Sequence, residues 1–211
     1  MQISPLKESE LEQYTKLNDE YGSIFTSLEW LKLFKDNITI YGIYKNDGQL
    51  IGGFYLAIHK IKGIKMLWQA PYASHLGPFF KIEQKKYVKK LDFEKELIET
   101  FARFIDELNY AGLSFRISNK IIDTQPFTWR KFTVIPQYTY IVDLDTDEDM
   151  MWENMASENR NDIRKGEKDE LEVKQVTDFK LTKELIYKTF DRQNMEVDNK
   201  DLEKILFEFA N

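Results

Sequence analysis

A mixed, largely antiparallel α/β (α+β) sheet flanked by helices, followed by the helical start of a partial second unit, is the fold class that the sequence predicts. Three observations carry it. Strand signals between Thr39 and Gln69 turn back at Asn46-Asp47-Gly48, which reads as an antiparallel hairpin. One long amphipathic helix, Phe93 to Asn109, feeds into a short strand at Leu113 to Ile117. From Tyr138 onward the chain passes from a strand to two helices in succession, as another α/β unit would begin.

The elements follow in order. Ser9-Glu10-Leu11-Glu12 fits a capping box, with Leu11, Tyr14 and Leu17 on one helical face. Ser27 caps a second, short helix carrying Leu28, Leu31 and Phe34, with Trp30 on it and Lys35 at its end. Strands are predicted at Thr39–Lys45, Leu50–Ile58 and Ile64–Gln69. Gly52-Gly53 inside the second of them signals a bulge or a close backbone approach. Ala70 to Phe80 is an irregular, aromatic loop with two prolines. Gly112 stops the long helix, Phe127 to Lys131 reads as a helical turn, and Phe132 to Leu144 as extended chain interrupted by Pro136. Thr146-Asp147-Glu148-Asp149 then opens a helix running to Met155, and Ser157 to Lys168 forms a basic one. A strand at Leu171–Val176 and helices at Leu181–Arg192 and Asp201–Phe209 complete the series, which stops at Asn211 inside a helical pattern.

Composition narrows the function classes. A hydrophobic share of 42% suffices for a sizeable core, and the 14% of aromatic residues favours strands and deep packing. A net charge of −6 argues against broad, non-specific nucleic-acid binding. The chain has no cysteine, which excludes thiolate nucleophiles, disulfides and zinc–thiolate sites. His59 and His75 lack metal-ligand spacing. No run approaches the ~20 apolar residues of a membrane span, and the first residues lack a signal-peptide core, so a cytoplasmic location is the expectation.

No nucleophile–base motif, Walker A motif or GxGxxG stands in the chain. Asp143, Asp145 and Asp147 lie beside a helix start, where dipole and capping effects account for them. Arg160, Arg164 and Lys168 recur at i, i+4 and i+8 on one helical face. The bland reading is a solvated face. The sharper one is an anion site for phosphate or carboxylate, which arginine forks bind bidentately. His59 reads as structural. His75, in the Pro/Gly loop, is more open to a role.

The pattern Glu158 to Val173 resembles a signature of the Fem-type peptidoglycan-bridge aminoacyltransferases, relatives within the GNAT acyltransferase fold. Asp143-Leu144, Arg160, Ile163, Arg164 and Lys165 match it. Ser27-Leu28-Glu29-Trp30 followed by Lys35 resembles the family's early Trp helix, and Tyr72 to Phe79, closing on Gly77-Pro78, its Tyr/Pro-rich loop. Thr189-Phe190-Asp191-Arg192 resembles the segment opening its second domain. The sequence departs from the pattern at Leu76, Gly166 and Asn194-Met195.

The resemblance implies two GNAT-like domains, here 1–144 and the helical start of an incomplete second one at 145–211, with substrate held in a cleft between them. It implies transfer of an acyl or aminoacyl group from a carrier, aminoacyl-tRNA or acyl-CoA, to an amine, with no tightly bound cofactor. Lys35 and Arg192 match the family's phosphate-binding pair, so the implied substrate-binding set is Lys35, Tyr72, Gly77, Arg160, Arg164 and Arg192. A UDP-linked cell-wall precursor or another small molecule is the implied substrate. Members of the family are longer, so the chain resembles a truncated relative or a fragment, with self-association through the unfinished unit as a corollary. Two alternatives stand beside this reading. One is a non-catalytic interaction module that keeps the fold. The other is an acetyl-CoA-dependent N-acetyltransferase, against which the chain lacks a Gly-rich pyrophosphate loop.

Overall fold

The computed structural model describes residues 1–108, 110–176, 179–195 and 199–209. The predicted helix end at Asn109 and the chain end at Asn211 fall outside them. The chain groups into two compact units, Met1–Val134 with Thr189–Asn211, and Ile135–Lys188.

The first unit is built on a six-stranded sheet: β1 (Gln2–Pro5), β2 (Ile38–Tyr44), β3 (Leu50–Ile61), β4 (Ile64–Trp68), β5 (Phe79–Phe80) and β6 (Gly112–Leu113). The order is β1-β2-β3-β4-β6, with β5 also on β3. All pairings are antiparallel except β4 with β6. The mixed, largely antiparallel sheet expected from the sequence is therefore present. Asn46-Asp47-Gly48 makes the hairpin turn, with Gly48 at φ 87°. β1 was not foreseen, because four residues ending in Pro5 carry too little alternation to register as a strand. The strand expected at Leu113–Ile117 is shorter, and its later residues hydrogen-bond to a loop.

Helices cover both faces. They are α1 (Leu11–Tyr21), α2 (Leu28–Lys32), α3 (Tyr87–Glu107) and α4 (Gln125–Trp129). Phe54 of β3 meets Phe101 and Phe104 of α3 at 4.7 and 5.8 Å between ring centroids. A Cβ on Gly53, one residue earlier, would lie 2.5 Å from Tyr14 of α1. Successive strand residues point to opposite faces, so α1 and α3 lie on opposite sides of the sheet. On α3, Leu97, Ile98, Phe101, Ala102 and Ile105 are buried, the helical spacing read from the sequence. Each large apolar side chain so buried stabilises by about 1.5–3 kcal/mol.

Two caps differ in register. The α1 turn opens with the Lys7 N–H donating to the Glu10 carboxylate at 3.1 Å, rather than with Ser9 and Glu12. Glu10 also accepts from the Tyr44 hydroxyl at 2.7 Å, which holds the carboxyl below its usual range; burial and Glu10 together push Tyr44 up to about 12. Ser27 caps α2 as expected, accepting from the Trp30 N–H at 3.2 Å. The end of the chain, α8 (Asn199–Lys204) and a π turn at Ile205–Phe209, packs on this core. Phe209 sits edge-on to Trp30 at 5.2 Å, and Lys204 lies 5.8 Å over Phe34.

The second unit holds α5 (Glu148–Asn154), α6 (Ser157–Lys168) and most of α7 (Phe179–Arg192). Asp147, not Thr146, caps α5, accepting from the Asp149 and Met150 N–H groups. The segments expected as strands at 138–144 and 171–176 form no ladder among the described residues, and Leu144 lies in a turn. Tyr138, Tyr140, Leu171 and Val173 are exposed there. A strand needs a neighbour to accept its backbone hydrogen bonds, and none pairs with either segment among the described residues. No described helix is long and apolar enough to cross a membrane.

Candidate functional site

The most informative local geometry is the edge of β3. β4 pairs with it from Ala57 to Ile61, and β5 pairs with it only at Gly52 and Gly53. β4 and β5 thus act as two pieces of one interrupted neighbour, with residues 69–78 as an excursion between them. The close approach read at Gly52-Gly53 holds, and the bulge lies one residue earlier, at Ile51. The β2 register slips opposite Ile51, and a Cβ on Gly52 would stand 2.1 Å from the Phe79 carbonyl oxygen.

Side chains and strand backbone tie the excursion down. The Tyr55 hydroxyl accepts from the Ala70 N–H at 3.1 Å and donates to the His75 carbonyl at 3.2 Å. Burial raises the Tyr55 pKa, so it stays a hydroxyl. Gln69 donates to the Ala73 carbonyl at 2.7 Å and accepts from the Arg116 N–H at 2.9 Å. The Leu76 N–H donates to the Arg116 carbonyl, and the Ser118 N–H to the Gly77 carbonyl. Gly77 adopts φ 105° before a cis bond to Pro78, and a Cβ there would lie 3.0 Å from Phe54. Glycine meets both requirements.

His75 belongs to this framework. Its Nδ1 accepts from the Gly77 N–H at 3.0 Å, so the proton sits on Nε2, 3.3 Å from the Ser23 hydroxyl. Burial first, and Lys120 second, lower its pKa below the usual histidine value. A neutral, tethered imidazole positions the loop. His59 is structural too: its ring lies 5.2 Å from that of Trp68.

Beside the excursion's exit lies a cleft of about 240 Å³ lined by Tyr21, Pro78, Phe79, Phe80, Ile82, Glu94, Lys120 and Ile121. It lies wholly within the first unit. β5 and the residues around it supply the apolar wall, the end of α1 supplies Tyr21, and α3 supplies Glu94. Lys120 donates to the carbonyls of Tyr21 (2.9 Å) and Gly22 (3.3 Å), neutralising the negative end of α1. Glu94 is partly buried and forms no ion pair among the described residues. Just before and within the first turn of α3 stand Lys85, Lys86, Lys89 and Lys90, all exposed. The cleft residues were invisible to motif reading, because they come from four separated stretches. The lysine pairs form a Lys-Lys-x-x-Lys-Lys run, but the sequence reading starts the helix at Phe93 rather than Tyr87, so it did not place them at a helix start.

The six residues implied by resemblance fall elsewhere, and none lines this cleft. Tyr72, at φ 56° and partly exposed, and Gly77 share the excursion. Arg160 is engaged at the end of α5, where its guanidinium donates to the carbonyls of Trp152 (3.1 Å), Glu153 (3.1 Å) and Met155 (2.6 Å). Arg164 stacks over Trp152 at 5.3 Å and donates to Asn161 at 3.3 Å. The unbalanced stripe thus has a local role in joining α5 to α6. Lys35, in the turn after α2, and Arg192, the last residue of α7, are exposed.

No family model matches the chain, and no curated protein matches it. Similar solved structures include a probable acetyltransferase, at 13% identity and a TM-score of 0.38, covering 70% of this chain and 100% of that one. A ribosomal-protein-alanine N-acetyltransferase from Brucella melitensis biovar Abortus 2308 matches at 14% identity and a TM-score of 0.40, over 68% of this chain and 100% of that one. An acetyltransferase from Trypanosoma brucei matches at 15% identity and a TM-score of 0.38, over 68% and 99%. At those values the likeness is distant, and the architecture above rests on the chain's own strands and helices.

Proposed function

We propose that the chain is a GNAT-like acyl- or aminoacyl-transferase that moves an acyl group from an activated carrier to an amine, with an amine of a cell-wall precursor as the acceptor the sequence resemblance suggests. The observation that carries the reading is the cleft at the interrupted edge of β3, with its apolar wall and one unpaired carboxylate. In the transfer, the neutral amine nitrogen bonds to the acyl carbon, the bond from that carbon to the carrier's sulfur or oxygen breaks, and the proton lost by the nitrogen passes through solvent to the departing thiol or hydroxyl. Such chemistry asks the protein mainly for positioning and for groups that hold the carrier. The lysines at the start of the 21-residue α3 suit an anionic carrier, since cations and the helix's free N–H groups favour the same charge. Lys35 and Arg192 are assigned to the diphosphate of a UDP-linked substrate on resemblance alone. Acyl-CoA and aminoacyl-tRNA both fit a carrier of that charge.

The test is product formation. Incubation of the full chain with acetyl-CoA or aminoacyl-tRNA and a panel of amines, including a UDP-linked peptide precursor, is followed by mass spectrometry. An N-acylated amine that depends on the chain supports transfer. Absence of product with either carrier overturns it.

A second reading, an interaction module without turnover, is favoured by one observation. The ladder-free segments at 138–144 and 171–176, whose composition suits a strand, expose Tyr138, Tyr140, Leu171 and Val173. Unpaired apolar strands seek a partner, whether another copy of the chain or a different protein. Association measured by sedimentation without product formation would select this reading.

A further inference from the structure

We infer that Glu94 and the apolar wall of the cleft form a binding site for a primary ammonium group carried on a single hydrocarbon arm. The wall of Pro78, Phe79, Phe80, Ile82 and Ile121 has no charge to offer a ligand. Glu94 does, and among the α3 carboxylates without an ion pair in the described residues it is the one that is partly buried and lines the cleft, Glu99 and Glu107 being exposed. Lys95 pairs with Asp123 at 3.6 Å and with Gln125 at 3.0 Å, and Glu96 pairs with the chain's amino terminus at 3.5 Å. Glu94 has no such contact among the described residues. Lys120, the cation lining the same cleft, is held by two backbone carbonyls of the α1 end instead. A partly buried carboxylate beside apolar surface interacts with a cation more strongly than one in open water, because the local dielectric is lower. It also gains a charge-assisted hydrogen bond from an ammonium donor.

Size limits the rest of the ligand. A cleft of about 240 Å³ is smaller than the roughly 300–1,000 Å³ of pockets that enclose drug-sized ligands. An alkyl arm ending in an ammonium fits that space, and a nucleotide does not. The charged head meets Glu94, and the methylenes lie on Phe79, Phe80 and Ile82. That the bound amine is the acyl acceptor rests on the transfer proposed above; the binding itself does not.

The experiment is calorimetric titration of the full chain at low salt with pentylamine, Nα-acetyl-lysine amide and pentanol. Both amines are expected to bind, with pentanol about tenfold weaker or more, since it lacks the charge. Binding of pentylamine alone supports a free small amine as the ligand, and binding of both extends the site to a lysine side chain. Glu94→Gln keeps the shape and removes the charge. It is expected to weaken both amines about tenfold, leave pentanol unchanged and keep the melting temperature. Glu99→Gln, on an exposed part of α3, is expected to match the wild type. The inference is overturned if pentanol binds as well as pentylamine, if Glu94→Gln leaves amine affinity unchanged, or if neither amine saturates the wild type. Acyl transfer separates the two claims. Amine binding that depends on Glu94 without transfer removes the transferase reading and keeps the site. Transfer indifferent to Glu94→Gln removes the site and keeps the transferase.

Discussion

Gly52→Ala presses on the junction from which the cleft is built. The new methyl would lie 2.1 Å from the Phe79 carbonyl oxygen, 2.7 Å from the Phe80 Cα and 2.9 Å from its Cβ. Two of these are backbone atoms, so no flexible side chain can swing away. Reaching an ordinary contact requires β5 to move by about 1 Å. Overpacking of that kind costs about 1–3 kcal/mol, and weakening the two-residue β3–β5 ladder adds about 0.5–1.5 kcal/mol. The lower entropy of the unfolded alanine chain returns about 0.4–1 kcal/mol. The net loss centres on about 2–3 kcal/mol, which lowers the melting temperature by roughly 4–12 °C for a chain of this size. Phe79 and Phe80 also form the cleft wall, so the same variant weakens pentylamine binding. Gly48→Asn is the control: nothing lies within 4 Å of its Cβ, and asparagine tolerates the positive φ. Thermal melting followed by titration reads both effects. A Gly52→Ala protein that melts within about 1 °C of the wild type and binds pentylamine equally well would refute the close-approach argument.

Three further outcomes follow from the geometry. His75 is neutral in the fold and its pKa is lowered, so its contribution to stability is fully present above the unfolded value of about 6.5. That contribution falls as pH drops through the window between the unfolded and folded values, and the melting temperature between about pH 8 and 5.5 should decline less steeply in His75→Gln. Arg160→Ala removes the cation from three carbonyls at the end of α5. Hydrogen-exchange protection of α5 should fall about tenfold, consistent with the loss of one charge-assisted contact. Arg192→Ala, at an exposed helix end, should leave the melting temperature within about 1–2 °C and, on the role proposed for it from resemblance, weaken diphosphate binding; a large loss of stability would make Arg192 structural.

Much of the fold was legible because its signals are local. The Asn46-Asp47-Gly48 turn, the Ser27 cap and the apolar stripe of α3 each depend on a few neighbouring residues. α6 runs from Ser157 to Lys168, the bounds read from the sequence. What escaped was set by distant partners. β1 exists because Gln2–Pro5 finds Tyr41–Tyr44, and no property of four residues announces that. The residues at 138–144 and 171–176 have strand composition but no neighbour that pairs with them among the described residues. The candidate site divides in the same way. Gly77 entered through the resemblance of Tyr72 to Phe79 to a Tyr/Pro-rich loop, and its φ of 105° is a conformation that suits glycine. Arg160 and Arg164 were legible as an uncompensated stripe, but their targets, the α5 carbonyls and Trp152, were not. Glu94 carried no signal, because a glutamate on an amphipathic helix looks the same whether it meets water or an apolar wall.

The measurement that bears most directly on the cleft as the seat of acyl transfer is the rate of N-acylated product formation by the wild type and by Ile82→Trp. Ile82 is a partly exposed lining residue, and an indole in its place fills the space meant for the amine's arm. The expected result is product from the wild type and at least about tenfold less from a folded Ile82→Trp, the cost of losing one well-fitted apolar contact. Equal rates in the two proteins, or no product from the wild type with either carrier, would contradict it.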